Sequence, residues 1–503
     1  MPVITETERV KEIIAHGGGA GLTELEFFAR EICAWKDSDV RRDQQLGERY
    51  YAGEQDILSR KRTVIGPGGT LEAVENLPNN RVVDNQYAKL VDQKANYLLG
   101  KPFTVDCKSE GYAAKLKKIF DWRFRRLLKQ VGTDALNGAV GWLCPYYGPD
   151  GGFRFKRFPP WQVLPFWADD EHTELDCAVR LYEQEIWEGF AKRTVERVEL
   201  YMPDGLHRFL LSGSMLIPDV ELGEYEPYIT AVPKGRDGKL DPAKAQGYTW
   251  GRVPLIPWRY NDREIPLLRR VKSLQDGINA ILSNFQNNME EDARNTVLVL
   301  ENYDGQDLGE FRRNLATFGA VKVRSVEGSR GDVRTLEITV GADNYKAILE
   351  LFKKALIENA RGYDAKDDRL SGNPNQMNIQ SMYSDIDLDA NGMETEFQAS
   401  FQDLLWFVSR YLLQTGQGDF TGEEVSVVFN RDILINEGEA IDNCAKSVGM
   451  LSEETVVEQH PWTVDKKKEL ERIKKEEAER SAEAGEYAGA FRHPGGDSGG
   501  DEP

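Results

Sequence analysis

At 503 residues the chain is too long for one hydrophobic core, and its length alone sets an expectation of two to four folding units. With 40% apolar and 29% charged residues it has ordinary globular composition, enough for a sizeable core. Its 84 acidic and 64 basic residues give a formal charge of −20, which opposes a dedicated nucleic-acid binder but leaves room for weak DNA contact.

The opening MPVITETERVKEII is acidic and lacks an apolar h-region, so no signal peptide is expected. No stretch approaches the roughly 18 uncharged apolar residues of a membrane span. Five cysteines (Cys33, Cys107, Cys144, Cys177, Cys444) are scattered and without CxxC spacing. That pattern predicts reduced thiols in a cytosol and no zinc site.

Residues 1–20 read as a loosely ordered arm ending in HGGGAG, followed by a helical stretch over 22–35. Tyr87, Val91, Ala95 and Leu98 share one helical face, and Gly100 and Pro102 supply the stop. From 130 to 260 the pattern turns to strand-like runs: GWLCPYY, FRFKRF, DCAVRLYEQE, RVELYM and HRFLL. They are aromatic and β-branched, broken by Gly, Pro and Asp, and predict an α+β domain.

From Pro266 the period changes. Leu267, Val271, Leu274, Ile278, Ile281, Phe285 and Met289 recur at three and four, predicting a helix of about 25 residues, roughly 37 Å long. So narrow a stripe suits packing against neighbouring helices, and one subunit is not expected to bury it alone. A strand over 295–300, a helix over 307–317 and strands over 320–324 and 332–340 follow as a small β-α-β-β module. A second helix places Tyr345, Ile348, Leu349, Phe352, Leu356 and Ala360 on one face.

Next comes GYDAKDDRLSGNPNQMN (362–378), polar and aperiodic. A loop of that length between strong helices is disordered or functional. Beyond it, Ile379, Tyr383, Ile386, Ala390, Met393, Phe397, Phe401, Leu404, Val408 and Leu412 hold the helical period. A strand over 424–429, further helices, a charged helix over 465–484 and a disordered acidic tail complete the chain.

Three motifs invite chemical readings. His16-Gly17-Gly18-Gly19 matches the oxyanion tetrapeptide of some hydrolases, but no G-x-S-x-G elbow exists to serve it. Asp387-Leu388-Asp389-Ala390-Asn391-Gly392 fits the first half of a calcium EF-hand loop. Yet Gln398 stands at the bidentate position, and a helical period runs straight through 383–397. Asn391-Gly392 is then expected to bend a long helix, since Gly there costs about 1 kcal/mol relative to Ala. GPGGT (66–70) is neither a dinucleotide fingerprint nor a Walker A loop, so it reads as a turn. No catalytic constellation, metal site or cofactor site emerges. The alternatives are a cytosolic hydrolase resting on HGGG and a calcium-binding scaffold resting on 387–398.

The order of these parts resembles the portal proteins of tailed double-stranded DNA bacteriophages, in the branch from long-tailed phages of Gram-positive hosts. Local stretches carry the likeness too: RYY with GEQDI (49–56), NNRVVDNQYAKLVDQKANYLLGKPFTV (79–105), WGRVPLIPW (250–258), LENYDGQDLGEF (300–311) and TGQGDF (415–420). It covers roughly residues 45 to 470. The likeness implies an N-terminal arm (1–35), a wing (36–260 and 379–435), stem helices (261–290 and 342–361) and a clip (291–341). A tunnel loop (362–378), a crown (436–480) and the acidic tail (481–503) complete it.

The same resemblance implies a non-enzymatic ring, usually of twelve subunits, at one capsid vertex of the virion, assembled in the host cytoplasm. Its partners would be double-stranded DNA held weakly and without sequence preference, the terminase large subunit, a head-completion or adaptor protein, and the major capsid and scaffolding proteins. ATP hydrolysis would belong to the terminase. Within the loop, Lys366, Arg369, Asn373, Asn375 and Gln376 are the expected DNA contacts. Arg269, Lys272, Lys353, Lys354 and Arg361 are lumen-facing stem candidates, and Asn302, Tyr303 and Asp304 are candidates for partner docking on the clip.

A closed ring also has a physical rationale, because it lets each subunit's apolar stripe meet the next subunit's complementary face. A conduit must let DNA slide, so an acidic protein with two cations among Asp364, Asp367 and Asp368 in its loop suits transient contact better than a clamp.

Overall fold

The computed structural model describes residues 5–18, 23–65, 69–74, 77–233, 241–292, 297–301, 332–336, 341–364, 376–431, 437–463 and 466–490. Helices α1 (Glu6–Gly18), α2 (Glu24–Lys36), α3 (Asp39–Tyr51), α4 (Gln86–Leu99), α5 (Glu110–Ile119) and α6 (Trp122–Gly138) occupy the first part. Side chains suited to the work cap most of them. Thr23 forms a reciprocal capping box with Glu26, while Ser38, Asn85, Ser109 and Asp121 each accept from a first-turn amide.

The strand-like runs pair as expected, in sheets that begin at Val140 rather than 130. Val131, Ala135 and Leu136 instead extend α6 into the core. Strands Val163–Trp167, Leu175–Glu188, Ala191–Met202, Gly205–Ser212 and Met215–Pro218 form an antiparallel sheet in chain order, with Tyr225–Glu226 on the Gly205–Ser212 strand. Strand alternation divides its residues between two layers. Cys177, Val179 and Leu181 pack with Phe27, Phe28 and Ile32 of α2, whereas Ala178 and Tyr201 pack with Trp142 and Trp167.

The main core gathers α4, α6 and two long helices, α7 (Leu267–Asp292) and α9 (Gln376–Gln414). Trp258, fully buried, meets Phe397 and Phe401 edge-on, each with ring centroids 5.0 Å away. Between those helices lie the antiparallel pair Val297–Glu301 and Asp332–Leu336 and helix α8 (Ala342–Asn359). The expected helix 307–317 and strand 320–324 fall outside the described residues. Strand Val425–Val428 pairs with Thr104–Cys107, and α10 (Glu437–Ser447), α11 (Glu453–Gln459) and α12 (Lys466–Ala490) are the last described elements. No helix among the described residues is long and apolar enough to cross a membrane.

The chain divides into two compact units. One comprises Met1–Tyr363 with Asp385–Asp432, the other Asp364–Ser384 with Ile433–Pro503.

Four expectations change. The arm is not loose where described: Glu6–Gly18 is helical, so His16, Gly17 and Gly18 lie in a helix rather than in a loop after a strand, and the oxyanion reading fails. The polar loop is shorter, because α9 begins at Gln376. The helix α12 runs to Ala490, past the expected start of the tail. Finally, the apolar stripe is partly buried within the chain itself: Leu267, Val271 and Ile278 of α7 and Leu356 of α8 are buried. Its far end opens to solvent, with Met289 62% and Ile348 45% exposed, and beside the stripe in the middle of α8 Leu351 is 66% exposed.

Candidate functional site

The α7 helix carries a second stripe that the apolar period concealed. Gln275, Asn279, Ser283 and Asn287 recur every fourth residue and are all buried. They serve as a ladder for the segment before α4 and for its first turn. The backbone amide of Asn80 donates to Asn287 Oδ1 (2.7 Å), that of Val82 to Ser283 Oγ (2.9 Å), that of Asp84 to Asn279 Oδ1 (3.0 Å) and that of Tyr87 to Gln275 Oε1 (3.0 Å). Four helical residues rise about 6.0 Å and two extended residues about 6.6 Å, so the alternate amides of Asn80, Val82 and Asp84 meet three successive rungs, while the fourth rung, Gln275, takes the Tyr87 amide in the first turn of α4. The polar side chains thus give the chain entering α4 the acceptors a neighbouring strand would otherwise supply.

The root of the polar loop is fixed at the end of α8. The Gly362 amide donates to Ile357 O (2.9 Å) and the Arg361 amide to Glu358 O (3.0 Å), the paired bonds of a Schellman cap. Arg361 takes the left-handed position at φ +51° that glycine usually fills. Gly362 follows because a Cβ there would meet Leu90 Cδ2 at 2.6 Å. From α4, Gln93 Nε2 donates to Tyr363 O (2.8 Å) while its Oε1 accepts from the Tyr363 amide (3.1 Å). Lys94 Nζ donates to Arg361 O (3.0 Å).

That lysine also reaches Asp389 of α9 at 2.7 Å. Tyr260 donates its hydroxyl to the same carboxylate (2.7 Å), and Arg270 of α7 approaches the other oxygen at 3.1 Å. Burial raises the Asp389 carboxyl, but Lys94, Tyr260 and Arg270 together outweigh it and hold the group below its ordinary range. One carboxylate therefore ties α4, α7, α9 and the loop root together.

This placement disposes of the calcium reading. The helix α9 continues unbroken through Asn391 and Gly392, with no interruption at the expected bend. Asp387 turns to Tyr97 and Arg431, while Asp389 faces Lys94, so the two carboxylates do not converge. Among the described residues no group of three or more His, Cys, Asp or Glu side chains could hold a metal ion.

The stem cations fare differently from one another. Lys272 lies 2.7 Å from both Asp56 and Asp276, and Lys353 lies 2.7 Å from Asp84. Arg269 is mostly exposed, 3.5 Å from Asp43. Arg361 is 55% exposed and 3.9 Å from Asp389, and Lys354 is exposed. Of the loop candidates, Gln376 is the first residue of α9, while Lys366, Arg369, Asn373 and Asn375 lie outside the described residues, as do Asn302, Tyr303 and Asp304.

These contacts fix the root of the polar loop against α4, α7 and α9. Comparison with known proteins identifies the family. Residues 35–483 match the family described as phage portal protein, SPP1 Gp6-like. The chain is similar to the portal protein of Bacillus phage SPP1, at 27% identity over 86% of this chain and 82% of that protein. It is also similar to the portal protein of Clostridium phage phiCD119, at 25% identity over 89% of this chain and 95% of that one. The chain therefore belongs to the SPP1-type family of phage portal proteins.

Proposed function

We propose that copies of this chain close into a ring, of about twelve by family precedent, forming the conduit at one capsid vertex through which the genome is packaged and later ejected. The family match over 35–483 is the observation that carries this reading. On it, the wing comprises 36–260 and 379–435, the stem 261–290 and 342–361, the clip 291–341 and the crown 436–480. The clip, with Asn302, Tyr303 and Asp304, would receive the terminase and then the head-completion protein. Capsid and scaffolding proteins would meet the ring's outer surface. The terminase would supply ATP hydrolysis, and no catalysis is assigned to this chain.

The tunnel loop would touch DNA through Lys366, Arg369, Asn373 and Asn375. Among the stem candidates Arg269, Lys354 and Arg361 are favoured, since carboxylates in the same chain hold Lys272 and Lys353 at 2.7 Å. Weak contact suits the role, because each copy brings a formal charge of −20 and a moving duplex must not be gripped.

Deleting Asp367–Pro374 separates contact from architecture. The fixed root at 361–363 should let rings assemble normally, while packaging of DNA into proheads falls sharply. Normal packaging by the deleted ring would refute loop contact, and failure to form rings would make the loop structural.

A further inference from the structure

The corner between α5 and α6 stands against the charge of the rest of the chain. Residues 115–129 hold seven basic side chains and one acid, in a protein of formal charge −20. Lys115 sits over the Phe420 ring at 5.9 Å, and Lys129 donates to Asn96 Oδ1. The other five, Lys117, Lys118, Arg123, Arg125 and Arg126, are exposed, and none makes an ion pair among the described residues. Between them Trp122 is 65% exposed, with the Arg123 guanidinium 5.2 Å from its ring.

Local helix stability does not account for all of these charges. Lys117 and Lys118 occupy the last turn of α5, where cations complement the helix dipole. The arginines do the opposite. Arg123 and Arg125 lie in the first turn of α6 and Arg126 just beyond, at the positive end of that dipole, and the turn holds no acid. Asp121 caps the amides of Arg123 and Phe124 and offsets only part of the repulsion. A local rule broken without a compensating partner among the described residues marks a surface shaped for something outside it.

We propose that this corner is a subunit–subunit contact that receives the acidic surface of a second copy of this chain. Resting on the ring reading, the assignment is argued from charge complementarity. Acidic copies repel one another unless positive ground meets acid at their contact, and with these five cations set aside the chain is more acidic still. The composition fits, since exposed tryptophan and arginine are the residues most often found at the energetic centre of protein interfaces. A DNA duplex is the disfavoured occupant, because five unpaired cations would grip phosphates that a conduit must release.

The test is the triple variant Arg123→Glu/Arg125→Glu/Arg126→Glu. Acids in the first turn of a helix are favourable, so its melting temperature should equal or exceed that of the wild type. The protein concentration at which half of the subunits are in rings, read by mass photometry, should rise at least tenfold. Should the reversal fold poorly, Arg123→Gln/Arg125→Gln/Arg126→Gln should give a smaller rise in the same direction. Wild-type assembly should weaken on going from about 0.05 M to about 0.5 M salt, and the Gln variant should respond less.

Rings formed by both variants at wild-type concentration would overturn the proposal and leave the ring reading standing. A wild type that stays monomeric would overturn both. Loss of binding to a labelled DNA duplex in variants whose rings are unaffected would assign the corner to DNA instead.

Discussion

At the scale of single residues, two buried aspartates respond oppositely to pH. Asp389 is held below its ordinary range chiefly because Lys94 lies 2.7 Å away, against the opposing effect of burial. Its contribution to stability is therefore complete above the unfolded value near 4 and is lost as pH falls through the lower folded value. Removing one partner of such a pair costs about 3 kcal/mol or more, so Lys94→Met should lower the thermal midpoint by several degrees and loosen the loop root. Asp134 behaves in the reverse sense. Burial, helped by the charge of Glu48 and opposed by Arg157, raises it to about 7, and its Oδ2 has no hydrogen-bond partner. Folding then favours the protonated acid, and stability should decline as pH rises from about 4 to about 7. Asp134→Asn should remove that part of the decline in melting temperature, whereas an unchanged slope would mean that the acid is already ionised.

At the scale of elements, the ladder on α7 makes its own prediction. Asn279→Ala leaves the Asp84 amide without its acceptor, at a cost of about 1–3 kcal/mol. Hydrogen exchange at that amide should speed by at least tenfold, with the Val82 amide, held by Ser283, changing much less. The long helices were legible from period alone, because three- and four-residue spacing of apolar side chains survives any tertiary setting. The ladder was not, since Gln275, Asn279, Ser283 and Asn287 look like an ordinary polar face until their partners, distant in sequence, are known. A signal existed in their strict fourth-residue spacing opposite the Asn-rich segment 79–85. The α1 helix is hidden in the sequence for a different reason: the glycine run at 17–19 signals flexibility and masks the helical pattern of the Glu6–Ile14 segment before it.

At the scale of the whole molecule, the family was readable from the sequence, and the match over 35–483 agrees with it. What sequence obscured was how much of the apolar stripe on α7 and α8 a single chain buries for itself. The α4 and α6 helices supply buried neighbours to the first half of α7, so only its far end and the middle of α8 remain open. An interface between copies should therefore depend on Ile348 and Leu351 more than on Val271 or Ile278. Changing Ile348 and Leu351 together to serine should weaken ring formation without lowering the monomer's melting temperature, whereas Val271→Ser should lower that temperature directly.

Native mass spectrometry of the purified protein tests the central claim most directly. The account predicts a closed oligomer whose mass is a single integer multiple of 57.0 kDa, near twelvefold, with a central hole in images of the same sample. A monodisperse species of 57.0 kDa at high concentration would contradict it.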